Sequence, residues 1–166
     1  MNAFVHLNVH SAFSMLDGTA GVDELAAAAA RAGMDTLSLT DTDGMYGAVP
    51  FTHACAAHGI RPIYGVEVSE PFPGDRHRHK EYFDGRTLRR AVLLARDSGG
   101  YEAICRIITR RHLQRDFEWQ VEVAGLPESV FVLCGDEALL RHRIRSRRLR
   151  AATRVEVCHF GGPDSM

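Results

Sequence analysis

The first side chains in this sequence that could do chemistry are imidazoles and a carboxylate near its start. His10 ends a stretch in which polar and apolar residues alternate, and Asp17 follows a short polar turn. Alternation with a period of two predicts a β-strand that places His6, Asn8 and His10 on one face. Neutral imidazole and carboxylate groups are common ligands of zinc and manganese. The pattern predicts one wall of a divalent-metal site, and the alternative is an exposed strand with incidental histidines.

The elements that must position these side chains alternate between strand and helix. Acidic residues in a first turn and glycines after a last turn mark the helix ends. The order strand, helix, strand, helix, strand is typical of an α/β fold with parallel strands. We predict strands over residues 4–10, 34–39, 60–68, 90–95, 129–134 and 155–158, and helices over 22–31, 45–58, 100–112 and 136–150.

Further carboxylates fall where predicted strands end. Asp41 and Asp43 follow the second strand, and Glu67 lies near the end of the third. In parallel α/β folds, ligands and catalytic groups gather at the carboxyl ends of the strands. We therefore expect these carboxylates to meet His10 and Asp17.

Composition favours an ordinary globular protein with a single domain over residues 1–166. Apolar residues make up 45% of the chain, charged residues 25%, and the net charge is -1. No apolar run is long enough for a membrane span, and the first residues do not resemble a signal peptide. The four cysteines are widely spaced, which indicates reduced thiols and a cytoplasmic location.

Five segments together resemble a known family, the polymerase and histidinol phosphatase (PHP) domain, in the version found at the N-terminus of bacterial DNA polymerase III alpha subunits. The segments occur in the family's order and nearly span the chain. They are Phe-Val-His-Leu-Asn-Val-His-Ser with Ser-Met-Leu-Asp-Gly; Leu-Thr-Asp with Met-Tyr-Gly-Ala-Val; Gly-Ile-Arg-Pro-Ile-Tyr-Gly-Val-Glu-Val; Ala-Val-Leu-Leu-Ala-Arg-Asp with Gly-Tyr; and Val-Phe-Val-Leu-Cys-Gly.

The resemblance implies a distorted (βα) barrel with metal ions bound at its C-terminal mouth. In active relatives, a metal-bound water hydrolyses a phosphoester, because the cations polarise the phosphoryl group and lower the pKa of the water. In polymerases, the domain is associated with a proofreading-type nuclease or with structural support. The resemblance also implies that the last strands of the barrel are missing, and that a second copy or a partner covers an open sheet edge.

The chain departs from the family pattern at several ligand positions. Asn8 and Thr42 stand where the pattern has histidines, and Arg90 falls on a third histidine position. A guanidinium cannot ligate a metal, and it could instead pair with Asp17 or Glu67. Asp136 falls where the pattern has a cysteine. The metal ligands that the resemblance retains are His10, Asp17 and Glu67.

Two functions from different classes follow from the resemblance. The first is a structural or accessory role in DNA replication or repair, with a degenerate metal site and with DNA or replication proteins as partners. The second is a phosphoesterase or 3'-5' exonuclease that uses zinc or manganese at partial occupancy. In the second, Asp43 or Asp136 would complete the ligand shell or orient the water, and His6, Asn8 and Asp41 would lie nearby. No segment of these 166 residues resembles the polymerase palm, fingers or thumb, so we expect no polymerase activity from them.

A run of arginines near the C-terminal end could contact nucleic acid. Arginine side chains neutralise backbone phosphates, and no acidic residue interrupts the run. The alternative is a solvated amphipathic helix, since the chain has a single lysine and uses arginine as its basic residue. The candidate contacts are Arg141, Arg143, Arg145, Arg147 and Arg148.

Overall fold

A computed structural model describes residues 4–71, 89–145 and 153–155, and the last of these ranges is described for its backbone alone. None of the helices in these ranges is long and apolar enough to cross a membrane. The helices are α1 (Val22–Arg31), α2 (Ala48–His58), α3 (Ser98–Leu113), α4 (Trp119–Ala124) and α5 (Glu137–Arg145). The strands are β1 (Thr36–Leu39), β2 (Arg61–Ser69), β3 (Arg90–Ala95), β4 (Val130–Cys134) and β5 (Thr153–Val155).

The strands form a mixed sheet in the order β1-β2-β3-β4-β5. The pairs β1/β2 and β4/β5 are parallel, whereas β3 runs antiparallel to both β2 and β4. The prediction of an α/β fold is confirmed, and the prediction that its strands are parallel is wrong for β3. Apolar periodicity reveals that a segment is a strand, but it carries no information on the direction in which the strand runs.

Strand β2 is shared between two neighbours. Its first half pairs with β1 and its second half, from Gly65 to Ser69, pairs with β3. The change of partner falls at Gly65, where a Cβ atom would lie 2.4 Å from the carbonyl oxygen of Leu93. A glycine is therefore needed for the backbone of β3 to approach β2 this closely.

The predicted first strand is extended but does not form a regular strand. Its backbone lies beside β1, where the carbonyl of His6 accepts hydrogen bonds from the N–H and hydroxyl of Ser38. The N–H of Val9, however, donates to the side-chain oxygen of Thr40 at 2.8 Å. Val9 therefore uses a side-chain acceptor where a regular strand would use a backbone carbonyl, and the apolar Leu7 is 38% exposed.

Two apolar clusters form the interior. One packs α1 and α2 against β1, with the alanines of α1 allowing close approach. The other packs α3, α4 and α5 against the remaining sheet around Leu93, Ile104 and Trp119. The indole N–H of Trp119 donates to the carbonyl of Val68 at 3.0 Å, so α4 is anchored to the end of β2. The sequence left the segment around Trp119 unassigned.

Arg143 is not a nucleic-acid contact in this fold, because its side chain is fully buried. Its guanidinium donates to the carbonyls of Val123, Ala124 and Leu126 at the C-terminal end of α4. Burial lowers the pKa of Arg143 to about 10. The cation satisfies helix-terminal carbonyls and complements the helix dipole, so it joins α5 to α4. Arg147 and Arg148 lie outside the described residues.

Replacing Arg143 by glutamine should lower the free energy of unfolding by about 2–4 kcal/mol, because buried carbonyls lose a charged donor. The matched variant Arg141→Gln should cost below about 0.5 kcal/mol, since the pair of Arg141 with Glu137 four residues earlier is exposed. Chemical denaturation of both variants measures the difference. Equal losses would contradict the structural role of Arg143.

Cys55 is fully buried on α2, and burial raises the pKa of its thiol from 9.0 to about 11. The thiol therefore ionises in the unfolded chain at a lower pH than in the folded chain. Its contribution to stability is complete below pH 9 and is lost as the pH rises through 11.

The difference in unfolding free energy between the wild type and Cys55→Ala should shrink by about 2 kcal/mol between pH 8 and pH 11. Urea titrations at several pH values measure it, with Cys105→Ala, which alters a partly exposed thiol, as the control. A difference independent of pH would refute the assignment.

Candidate functional site

The candidate site lies at one edge of the sheet, where β1 and β2 end and β3 begins. Because β1 and β2 are parallel, Thr42 follows β1 and forms an isolated bridge with Glu67 on β2. Because β3 is antiparallel, its first residue, Arg90, pairs in register with Ser69. Glu67 and Ser69 share a face of β2, so Arg90 is the diagonal neighbour of Glu67 and its long side chain can reach it.

Arg90 lies between two carboxylates. One atom, Nη1, donates to Oε1 of Glu67 at 2.7 Å and lies 3.6 Å from Oδ2 of Asp17. The Glu67 side chain is 8% exposed, whereas those of Arg90 and Asp17 are 44% and 38% exposed. Burial by itself would lower the pKa of Arg90, but attraction to Glu67, a hydrogen bond to it, and then Asp17 and Asp43 leave that pKa raised. The site thus contains a permanent cation supplied by the chain.

Asn8, His10 and Thr42 form a polar network around this ion pair. Nε2 of His10 lies 3.2 Å from Oδ1 of Asn8 and 3.8 Å from Oε2 of Glu67. Nδ2 of Asn8 lies 3.4 Å from the same Glu67 oxygen. The hydroxyl of Thr42 donates to Asp17 at 3.2 Å and lies 3.4 Å from Nδ1 of His10. The structure therefore brings His10, Asp17 and Glu67 together, and Asn8, Thr42 and Arg90 lie among them.

Asp41 positions the loop that carries Asp17. Its carboxylate is 2% exposed and accepts hydrogen bonds from the N–H and hydroxyl of Ser11 and from the hydroxyl of Ser14, the last at 2.6 Å. The loop closes tightly, since a Cβ at Gly18 would lie 2.0 Å from the carbonyl oxygen of Ser11. Asp41 therefore positions the loop that carries Asp17. Its carboxylate oxygens are occupied by the hydrogen bonds from Ser11 and Ser14.

Asp43 is bound to a second structural cluster. Its carboxylate accepts from the N–H and hydroxyl of Ser69 and forms a 2.8 Å ion pair with Arg111 on α3. Nε2 of His112 lies 2.7 Å from its carbonyl oxygen. These contacts hold Asp43 at a φ of 53°, in the left-handed region. Its carboxylate oxygens contact Ser69 and Arg111, and these contacts join α3 to the end of β2.

Two other predicted site residues lie elsewhere. His6 is exposed, its ring packs edge-on against Phe4 with centroids 4.8 Å apart, and it lines a groove against α1. Strand periodicity predicted it beside His10, but the segment is not a regular strand. Asp136 caps α5, accepting from the N–H of Leu139 at 2.7 Å, and its charge acts on Arg89.

The donor set does not fit the metal cluster that the family resemblance implies. Within residues 4–71 and 89–145, no three histidine, cysteine, aspartate or glutamate side chains are arranged to hold a metal ion. Asn8 offers only an amide, and the guanidinium of Arg90 lies against the two carboxylates that a metal would need.

Sequence reasoning missed the side chains that support the site. Ser11 and Ser14 bind Asp41, and Thr40 donates to Oδ1 of Asn8 at 2.9 Å. A serine pair in a turn beside a predicted carboxylate site was a usable signal. Nothing in the sequence pointed to a contact between Arg111 and Ser69, because 42 residues separate them.

The chain belongs to the PHP domain family, whose model matches residues 6–159. The resemblance inferred from the motifs is therefore confirmed. The chain is 34% identical to the DNA polymerase III subunit alpha of Treponema pallidum over 112 residues, which are 68% of this chain and 10% of that protein. It is 42% identical to the Bacillus subtilis subunit over 105 residues, 63% of this chain and 9% of that one. The chain thus spans about a tenth of the curated relatives it matches.

Among solved structures, an amidohydrolase from Chromobacterium violaceum is similar. It is 22% identical, has a TM-score of 0.44, and the match covers 89% of this chain and 52% of that one.

Replacing Asp41 by asparagine should lower the free energy of unfolding by about 1–3 kcal/mol, because an amide cannot accept all the hydrogen bonds of Ser11 and Ser14. The control Asp35→Asn, at an exposed carboxylate before β1, should cost less than about 1 kcal/mol. Urea denaturation measures both. Similar stabilities for Asp41→Asn and the wild type would show that the loop does not depend on this carboxylate.

Proposed function

We propose that this chain is a PHP module with a structural or accessory role in DNA replication or repair, and that it does not hydrolyse phosphoesters. The observation that carries this proposal is the position of Arg90. Its Nη1 atom pairs with Glu67 and lies near Asp17, which the family resemblance assigns to metal binding. Because the carboxylate of Glu67 is nearly buried and already pairs with the half-exposed guanidinium, a metal ion would have to displace a permanent cation.

The residues at positions 8 and 42 also make metal binding less favourable. Each replaces an imidazole by a weaker ligand, and each side chain is engaged within the cluster, Asn8 with Thr40 and Thr42 with Asp17. The site is therefore closed by hydrogen bonds among protein groups. Stabilising a fold in this way is compatible with a scaffold and unfavourable for a hydrolytic centre, which keeps an open coordination position.

The remaining parts of the proposal concern architecture and partners. The mixed sheet is part of an incomplete PHP-type (βα) barrel. An open edge of this barrel is covered by a second copy, by DNA or by a replication protein. The location of this assembly is cytoplasmic. Support comes from the family and from its polymerase relatives. Of the arginine run, Arg141 and Arg145 are the exposed candidates for a nucleic-acid contact.

The competing function is a metal-dependent phosphoesterase or 3'-5' exonuclease. The observation in its favour is that His10, Asp17 and Glu67 remain in one contact network. In this alternative, zinc or manganese binds at these residues after Arg90 moves aside, and Asp43 or Asp136 contributes a further oxygen. The present contacts of Asp43 and Asp136 oppose that last assignment.

The purified protein, given manganese or zinc, should hydrolyse neither p-nitrophenyl phosphate nor a 3'-labelled single-stranded DNA above the background set by Glu67→Gln. Elemental analysis of the same sample should find less than about 0.1 metal ion per chain, because the guanidinium competes for the carboxylates. His10→Ala serves as a second background. Stoichiometric metal, together with turnover that both variants abolish, would contradict the proposal.

A further inference from the structure

We propose that this chain forms a symmetric dimer through an apolar patch built from the turn at residues 13–16 and the start of α2. The patch consists of five exposed side chains, which are Phe13, Met15, Leu16, Tyr46 and Val49. None of these residues belongs to a strand, so the patch is a different surface from the open sheet edge. The inference goes beyond the proposed function, because it does not depend on what the candidate site binds.

The two segments of the apolar patch are in contact with each other. A Cβ atom at Gly47 would lie 3.0 Å from Cδ2 of Phe13, so the ring of Phe13 lies against the backbone that leads into α2. Tyr46 and Val49 lie on either side of Gly47 along the chain, and both are exposed. A contiguous apolar surface of several large side chains on a folded protein typically marks an interaction site.

The turn at residues 13–16 is held in place before any partner binds. Met15 and Leu16 are 86% and 98% exposed, and Leu16 has a φ of 72°, a left-handed conformation that is unfavourable for leucine. The hydroxyl of Ser14 donates to Asp41 at 2.6 Å and accepts from the N–H of Thr42 at 3.0 Å. The fold therefore presents two large apolar side chains to water on an ordered turn, and covering them costs little conformational entropy.

Area and charge favour a second copy of this chain as the partner. From their exposed fractions, the five residues present about 700–800 Å² of accessible surface, which is close to the share of one partner in a stable interface. No charged residue occurs in the segments 13–16 and 44–50. The patch can therefore face an identical patch across a two-fold axis without repulsion between like charges.

Sedimentation velocity of the full chain between about 1 and 200 µM tests the inference, and the wild type should change from monomer to dimer over this range. Leu16→Asn removes the apolar side chain but keeps a residue that tolerates a positive φ, so it should fold normally and weaken dimerisation at least about tenfold. Met15→Gln is a second variant with the same expected effect. The matched control is Leu113→Asn, which changes an exposed leucine at the end of α3 and should dimerise like the wild type.

A pair of charged variants tests whether the patch meets its own copy. Met15→Glu and Met15→Arg should each be monomeric alone, because like charges would face each other across the two-fold axis. An equimolar mixture of the two should dimerise, since opposite charges then meet.

Dimerisation that Leu16→Asn weakens, that Leu113→Asn leaves unchanged and that the charged mixture restores supports the inference. A wild type that stays monomeric at about 200 µM would overturn it and leave the patch to a different protein. A dimer that Leu16→Asn leaves intact would also overturn it, since that dimer would use another surface such as the open sheet edge. Failure of the charged mixture to associate would overturn the symmetric contact.

Discussion

The ion pair between the nearly buried carboxylate of Glu67 and the guanidinium of Arg90 organises the candidate site. Glu67 points to the edge of the sheet with 8% of its side chain exposed, and Arg90 supplies the charge at 2.7 Å. Removing Arg90 would leave the carboxylate of Glu67 without its cation in a poorly solvated place. Asp17 adds a second, more exposed carboxylate to the same nitrogen.

The ion pair depends in turn on the direction of one strand. Since β3 is antiparallel, its first residue lies at the edge where β1 and β2 end. A parallel β3 would place Arg90 at the opposite edge. Two further clusters make this edge rigid: Asp41 binds the serines of the preceding loop, and Asp43 joins α3 to the end of β2. The acidic residues predicted as candidate ligands therefore have different roles. Glu67 and Asp17 lie beside Arg90. Asp41 binds the preceding loop, and Asp43 binds α3.

The positions of most elements could be predicted from the sequence. The direction of β3 and the contacts made by particular side chains could not. Periodicity and glycine signals predicted most strands and the helices other than α4, and strand-end carboxylates predicted that His10 and Glu67 meet. The antiparallel course of β3 has no local signature. Nor could the sequence show that Arg143 is buried, because its contacts are backbone carbonyls about 20 residues away. Alternation predicted a strand over residues 4–10, but within that segment the N–H of Val9 donates to the side chain of Thr40.

We propose that the cation of this site is Arg90 and not a metal ion. Anomalous diffraction at the manganese absorption edge, from crystals of the wild-type protein grown with manganese(II), tests it directly. The crystals should show electron density for the Arg90 guanidinium between Glu67 and Asp17, and no anomalous peak there. An anomalous peak about 2.2 Å from the oxygens of both carboxylates, with Arg90 turned away, would contradict it.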